Sequence, residues 1–493
     1  MLKYTGHFVF DVGLTTVLAL CKKFDPGRLT EIDLKKVADF IQENYAQDPL
    51  RSAYTVAFTS GAWFSQPAFW TQPEKQRDYA ERVLRGYGSN IPILDEPCVF
   101  TGEPAVRIAF SDKLPTGRAF RQHIPMTLGE NVINFYAGGD AGLPVSGKAL
   151  LCIQAFPLGC SKCGGKLLAV HSDNPDIMYT FAARFLDENR KLISLAREEG
   201  STKLKEAPFP AKTLLIKTLI EIEQERQEER AEQRPYSVTA YHLSNGGQST
   251  ALDTRNPPLE IYHLPLELTS FLGAIVHTEF QSEWRAVERR AWWYSQKKEK
   301  NSEEDKPRKR KSKKAIPDKA VDVVFSRNAL YEDLFDLPDK VRYFVRRYFL
   351  GKSPDAASWK LAELLMKEVI HMDKSLLEDI RRLGDKLGSY VQETGDKQFY
   401  GGFFAENRYD HFRDLLMRVN RRRLKANEEP IISLDEFFSV FESEVEGVPR
   451  YDRWKLARDL VLIRMTEFLY KAGKLKDLTD VIPDVEELED SQP

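Results

Sequence analysis

At 493 residues the chain is long enough for two or three domains, and 42% hydrophobic with 11% aromatic content marks it as globular. No run of about 18 uncharged apolar residues occurs, so no membrane span is expected. A formal net charge of −2 argues against a uniformly basic nucleic-acid binder but leaves room for local concentrations of cations.

The first 22 residues predict an extended start and then an apolar helix over Val12 to Cys21, with Asp11 placed to cap it. One upstream lysine, Asp11 and the lack of a small-residue cleavage site argue against a signal peptide. Residues 30–44 carry helical spacing behind a cap-like Thr30. Tyr54 to Phe58 predicts a short strand. The aromatic loop SGAWFSQPAFW suits either a base-stacking platform or a core plug. Residues 73–90 predict a charged helix.

The stretch from Cys98 to Asp173 reads as strands and loops, since Pro and Gly recur through it. It holds four of the five cysteines. Cys160 and Cys163, followed by Gly-Gly, have the form of a zinc knuckle, in which a tight turn brings two thiolates to one tetrahedral ion. Cys98 is a third candidate ligand, but its partner position holds Thr101, so the site is incomplete. The alternative is a relic of a zinc ribbon held by packing. An odd cysteine count with one Cys-x-x-Cys pair fits a reducing compartment, and a cytoplasmic protein is expected. Arg107, Arg118, Arg121, His123 and Lys148 give the stretch a positive bias suited to phosphate oxygens. Asn131 and Asn134 flank a glycine-rich loop; Asn reads base edges, and it also simply makes turns.

Further on, residues 176–199 and 209–234 predict helices, the second ending in an almost wholly charged, solvated half. Residues 236–241 and 259–264 predict strands, and 265–294 a helix ending in arginines and tryptophans. Residues 296–320 lose nearly all apolar side chains, with seven basic residues and no acid from Lys306 to Lys314, which predicts a basic linker. Residues 321–475 predict an all-α helical bundle, and 476–493 an acidic tail. Arg342, Arg346 and Arg347 form one cationic patch; Arg418, Arg421, Arg422, Arg423 and Lys425 form another. The fold class expected is therefore α+β, with a mixed N-terminal domain over 1–295 and a helical C-terminal domain.

A catalytic constellation cannot be assembled. There is no phosphate-binding P-loop, no nucleophile elbow and no His-Glu-x-x-His pair. The adjacent residues His171, Ser172 and Asp173 do not make a triad, because neighbours on a strand point to opposite faces. A non-enzyme is expected; the rival is a metal-dependent nuclease using unrecognised carboxylates.

The order of these motifs resembles a known family. TGHFVFDVGLTTVLAL, AFTSGAWFSQP, the Asn-Phe and glycine-rich segment, the run ending Gln-Ala-x-Pro-Leu-Gly, and Gly-Gly-x-Leu-Leu-x-x-His-Ser-Asp are similar to the large subunit of type I-B CRISPR effector complexes. The likeness is collinear over roughly residues 1 to 180. Thr101 departs from the paired-cysteine pattern. The resemblance implies a subunit beside the 5′ end of a guide CRISPR RNA. It would recognise the motif flanking a double-stranded DNA target (the PAM), help open the duplex, and support the R-loop with its helical bundle. Implied partners are the backbone and guide-end subunits, a recruited nuclease-helicase or transposition proteins, and a small helical subunit made by internal translation, with Met366 or Met372 as candidate starts. On that reading Asn131, Asn134 and Lys148 would read the motif. Arg118, Arg121 and the two bundle patches would hold phosphates.

Overall fold

The computed structural model describes residues 2–58, 71–132, 141–229, 234–244, 257–296, 323–350, 358–442 and 453–481. The aromatic loop, Asn134 with most of the glycine-rich segment, the basic run 306–314 and the acidic tail from 482 lie outside them. The described residues form a mixed α+β protein. They fall into two units, one of residues 1–222, 234–266 and 294–327, the other of 223–233, 267–293 and 328–493.

The first unit is organised around α1 (Phe8–Cys21), whose residues from Val9 to Leu18 are all buried. A helix apolar on every side must be covered on every side. α2 (Glu31–Tyr45) begins with a capping box in which Thr30 and Asp33 satisfy each other's backbone N–H, as the Thr30 signal predicts. α3 (Leu50–Ala57) corrects the strand expected at 54–58. The β-branched residues there join a helix whose ends, Leu50, Ala57 and Phe58, enter the core, so tertiary burial overrides local propensity. α4 (Pro73–Leu84) follows. Four short strands come next: β1 (Ile93–Pro97) pairs with β2 (Pro104–Val106), and β3 (Arg118–Ala119) pairs with β4 (Leu143–Pro144).

The Cys98–Asp173 stretch is not all strand and loop. It contains α5 (Gly147–Ala155), capped by Ser146 and buried throughout except for Lys148. α5 crosses α1 so closely that a Cβ on Gly13 would lie 2.1 Å from Cys152 O. Tyr45 donates to Gln154 O at 3.0 Å and Gln154 Nε2 donates to His123 O at 2.8 Å, tying α2 and α5 to the loop that follows β3.

The one larger sheet among the described residues runs β5 (Ser161–Cys163), β6 (Lys166–Ser172), β7 (Val238–Leu243) and β8 (Leu259–Leu264), antiparallel throughout. Two helices lie between its second and third strands: α6 (Pro175–Glu198) and α7 (Ala211–Glu228). Leu167, Ala169 and Leu243 share one face and join the core that contains α1 and α5. On the opposite face, Leu168, Val170, Val238 and Ala240 are also buried. Being covered on both faces, β6 loses the strict apolar–polar alternation of a half-solvated strand.

Pro265 to Tyr294 divides into α8 (Leu266–Ile275) and α9 (Thr278–Ala291). β9 (Trp292–Gln296) and β10 (Val323–Asn328), two strands with no clear sequence signal, are hydrogen-bonded neighbours flanking the basic segment. The second unit continues with α10 (Ala329–Asp333), α11 (Val341–Phe349), α12 (Trp359–Glu368), α13 (Lys374–Thr394), α14 (Lys397–Ala405), α15 (Tyr409–Lys425), α16 (Leu434–Phe441) and α17 (Trp454–Lys471). α17 is its axis, buried along most of its length, with α11, α12, α13, α14 and α16 packed around it. Gly384 and Gly388 let α13 close on Arg464 and Phe468 of α17, where any Cβ would meet side-chain carbons at 2.7–2.8 Å.

Candidate nucleic-acid interface

Cys-x-x-Cys-Gly-Gly folds as a β-hairpin. Cys163 pairs with Lys166 across Gly164 and Gly165, whose φ angles of +56° and +77° belong to a two-residue turn that only glycine-like residues enter easily. Cys160 precedes β5 and Cys163 ends it; three residues apart in extended chain, they face opposite ways. Cys160 Sγ donates to Phe156 O at 3.1 Å, and burial holds its thiol well above the ordinary range. Cys163 Sγ lies 3.7 Å from His242 Nε2, and burial, with Glu206 and Glu260 nearby, pushes its thiol up to about 12.

Cys98 belongs to the core that includes Phe100 and Val106. Its turn is closed by Gly102 N donating to Cys98 O at 2.9 Å, while Thr101 Oγ1 lies 3.4 Å from Ser146 Oγ. Thr101 is thus a turn residue. Among the described residues no three His, Cys, Asp or Glu side chains gather where they could hold a metal ion. Cys98, Cys160 and Cys163 therefore do not fit a shared zinc; each thiol is directed into its own packing environment.

The cations of the first unit are not one patch. Arg118 is buried and ion-paired through Nη2 with Glu96, which corrects its reading as a phosphate contact. His123 is buried among Tyr79, Phe110 and Phe120, and desolvation holds it down to about 3, so it brings no positive charge. Arg121 is half-buried. Lys148 sits in the first turn of α5, 3.9 Å from Glu103. Asn131 is exposed in a turn closed by Val132 N donating to Gly129 O at 3.1 Å. Asn134 is outside the described residues.

In the second unit Arg346 is only 6% exposed, its Nη1 2.8 Å from Asp459 Oδ1; Arg342 Nε reaches Asp459 Oδ2 at 2.8 Å. Arg347 pairs with Asp333 at 2.9 Å. These arginines hold the bundle together and do not form an exposed stripe, because α11 turns Arg342 and Arg346, one turn apart, toward α17.

The second cationic run behaves differently. Arg418, Arg421, Arg422 and Lys425 recur at helical spacing on α15, and all four are exposed. Arg422 reaches Asp396 at 3.2 Å with 66% of its side chain still exposed, and Arg418 Nε donates to the Asp414 carbonyl at 3.4 Å. Arg423 turns aside to Glu428 and the Glu429 carbonyl. Four long, solvent-facing cations on one face make a surface that can follow a phosphate backbone; at the helix C-terminus they also favour the helix dipole.

Two polar groups in the first unit depart from the sequence reading. α1 begins at Phe8 behind His7, so Asp11 lies inside its first turn and does not cap it, and the group around Glu260 carries no sequence signal. Asp11 accepts from Thr5 N at 2.9 Å and Gly6 N at 2.8 Å, and lies 3.1 Å from His171 Nε2. His242 Nδ1 and Lys166 Nζ converge on Glu260 at 3.0 and 2.9 Å. Strand register sets His242 opposite Glu260, and packing of α1 on β6 brings Asp11 to His171; neither is visible in spacing.

No protein-family model matches the chain, and no curated protein or solved structure matches it. No helix among the described residues is long and apolar enough to cross a membrane.

Proposed function

We propose that the chain is the large, non-catalytic subunit of an RNA-guided DNA-binding complex of the type I-B CRISPR kind. The motif order over residues 1 to 180 supports the family. The observation that carries the binding role is the exposed face Arg418, Arg421, Arg422 and Lys425 of α15, a helical surface suited to holding a separated strand by its phosphates. Asn131 and Lys148, both at the protein surface, are the groups available to read the flanking motif. Guide RNA, target DNA and the neighbouring subunits are the partners. A start at Met372 would release a polypeptide carrying α13 to α17, the small helical subunit expected of such systems.

A gel-shift with the complex purified through a tag on this chain, using duplexes that differ only beside the target, tests the reading. Co-purifying guide RNA and motif-dependent binding support it; absence of RNA and of partner proteins overturns it. In the same assay, replacing all four α15 cations by Gln should weaken binding. It should also reduce the slope of log affinity against log salt by about 0.7–0.9 for each phosphate no longer neutralised. An unchanged slope would remove α15 from the interface.

A further inference from the structure

The second unit sets one carboxylate among four cations. Asp459 is fully buried and is met by Arg342 Nε, Arg346 Nη1 and Arg458 Nη2, each at 2.8 Å. Lys455, one turn before Asp459 on α17, sets its Nζ 5.9 Å from the centroid of the Trp454 ring, which Arg458 approaches to 5.7 Å. Carbonyls of Phe404 and Glu406 accept from Arg346 Nη2 and Arg458 Nη1. Those dipoles satisfy hydrogen bonds, yet they cannot neutralise charge. Buried charges are ordinarily paired. Three guanidiniums and an ammonium against one carboxylate leave a large excess among the described residues.

Two further features have the same sign. α17 starts at Trp454 with Arg453 as its N-cap, no side chain capping it and no acid in its first turn. Helix N-termini favour negative groups; α2 and α16 supply them with Glu31 and Asp33, and with Asp435 and Glu436. α17 instead presents Lys455. In addition, Arg346 Nε is buried without an acceptor among the described residues, on a side chain almost wholly enclosed.

We propose that Arg342 and Lys455, standing over the buried Arg346, Arg458 and Asp459 at the N-terminus of α17, form a binding site for one phosphate group. Arg342 keeps 31% of its side chain exposed and Lys455 is half-buried, so both can meet a ligand from solvent. A guanidinium fork, an ammonium and helix N–H donors together suit a phosphate, whose charge and several acceptor oxygens match the excess better than another single carboxylate would. The phosphate can come from a free or terminal monoester or from a nucleic-acid backbone. The charge count stands on the second unit alone and does not depend on the guided-DNA reading. Desolvation together with the neighbouring guanidiniums holds both Arg346 and Lys455 below their usual ranges, as expected where positive charge lacks a counter-ion.

Acetylation of the full-length chain, followed residue by residue by mass spectrometry, tests the site. Lys374, whose side chain is 91% exposed, serves as the internal control. Inorganic phosphate at ten times its dissociation constant should slow acetylation of Lys455 about tenfold relative to chloride of equal ionic strength and leave Lys374 unaffected. Arg342→Gln should abolish that protection. Should this variant fold poorly, the wild-type chain still decides, because phosphate must also raise its Tm above the chloride control. A short oligonucleotide is the second arm. Protection by phosphate alone assigns a free or terminal phosphate; protection by the oligonucleotide alone assigns a backbone phosphodiester. If neither shields Lys455 beyond the chloride control, the site does not exist. RNA co-purification and motif dependence are read in a different assay, so either proposal can fail without the other.

Discussion

Asp11 and His171 are 3.1 Å apart, joining the first turn of α1 to the end of β6 across 160 positions of sequence. The same carboxylate accepts from the N–H groups of Thr5 and Gly6, so it ties the N-terminal segment, the central helix and the sheet at one point. Asp11→Ala leaves two backbone donors and an imidazole without their acceptor. It should lower stability by about 2–4 kcal/mol, read as a shift in denaturant midpoint. A midpoint equal to wild type would show that solvent replaces the carboxylate at no cost.

The crossing of α1 and α5 depends on Gly13. A methyl group there has nowhere to go, because the nearest atom is a backbone carbonyl oxygen and cannot rotate aside. Gly13→Ala should cost about 3 kcal/mol or more and shift the near-ultraviolet spectrum of the core. A variant with wild-type Tm would mean that the helices can separate freely.

His123 sets a pH dependence. Burial keeps its imidazole neutral down to about 3 in the folded chain, whereas an unfolded histidine takes up a proton near 6.5. Between those values the unfolded state binds the additional proton. The contribution of this site is therefore full above pH 6.5 and declines as pH falls toward 3, by at most about 1.4 kcal/mol per pH unit. Urea titrations of wild type and His123→Leu at pH 7 and pH 5 should show the gap between them moving against wild type at the lower pH. A constant gap would indicate that the ring protonates without unfolding.

The hairpin reading of Cys160 and Cys163 makes a prediction about metal. Chelator treatment should leave Tm within about 1 °C, and Cys163→Ser should retain the fold because Gly164 and Gly165 set the turn. Stoichiometric zinc that survives gel filtration, with unfolding on its removal, would restore the knuckle.

Local signals were legible where one residue decides one bond. The Thr30–Asp33 cap, the strands around residues 238–243 and 259–264, and the long helices of the bundle all follow from spacing and end residues. Function-bearing chemistry was less legible because it depends on what lies opposite. Cys-x-x-Cys-Gly-Gly is compatible with a knuckle and with a hairpin, and only pairing with β6 selects between them. The run containing Arg342 and Arg346 looks solvent-facing, as does the run at Arg418 to Lys425. One meets an aspartate 113 positions beyond Arg346, and the other stays largely in solvent. Lys455 and Arg458 carry no motif, and their significance arises only when α11 is laid beside α17.

The basic segment leaves from β9 and comes back at β10, two strands hydrogen-bonded to each other. Gln296 and Val323, the residues on either side of it, therefore belong to one small sheet. Pairing of the flanking strands makes the span between them a place to test insertions. A fluorescent protein or affinity handle could be spliced in between Gln296 and Val323, or the segment exchanged for one of different charge, while the sheet on either side keeps its own hydrogen bonds.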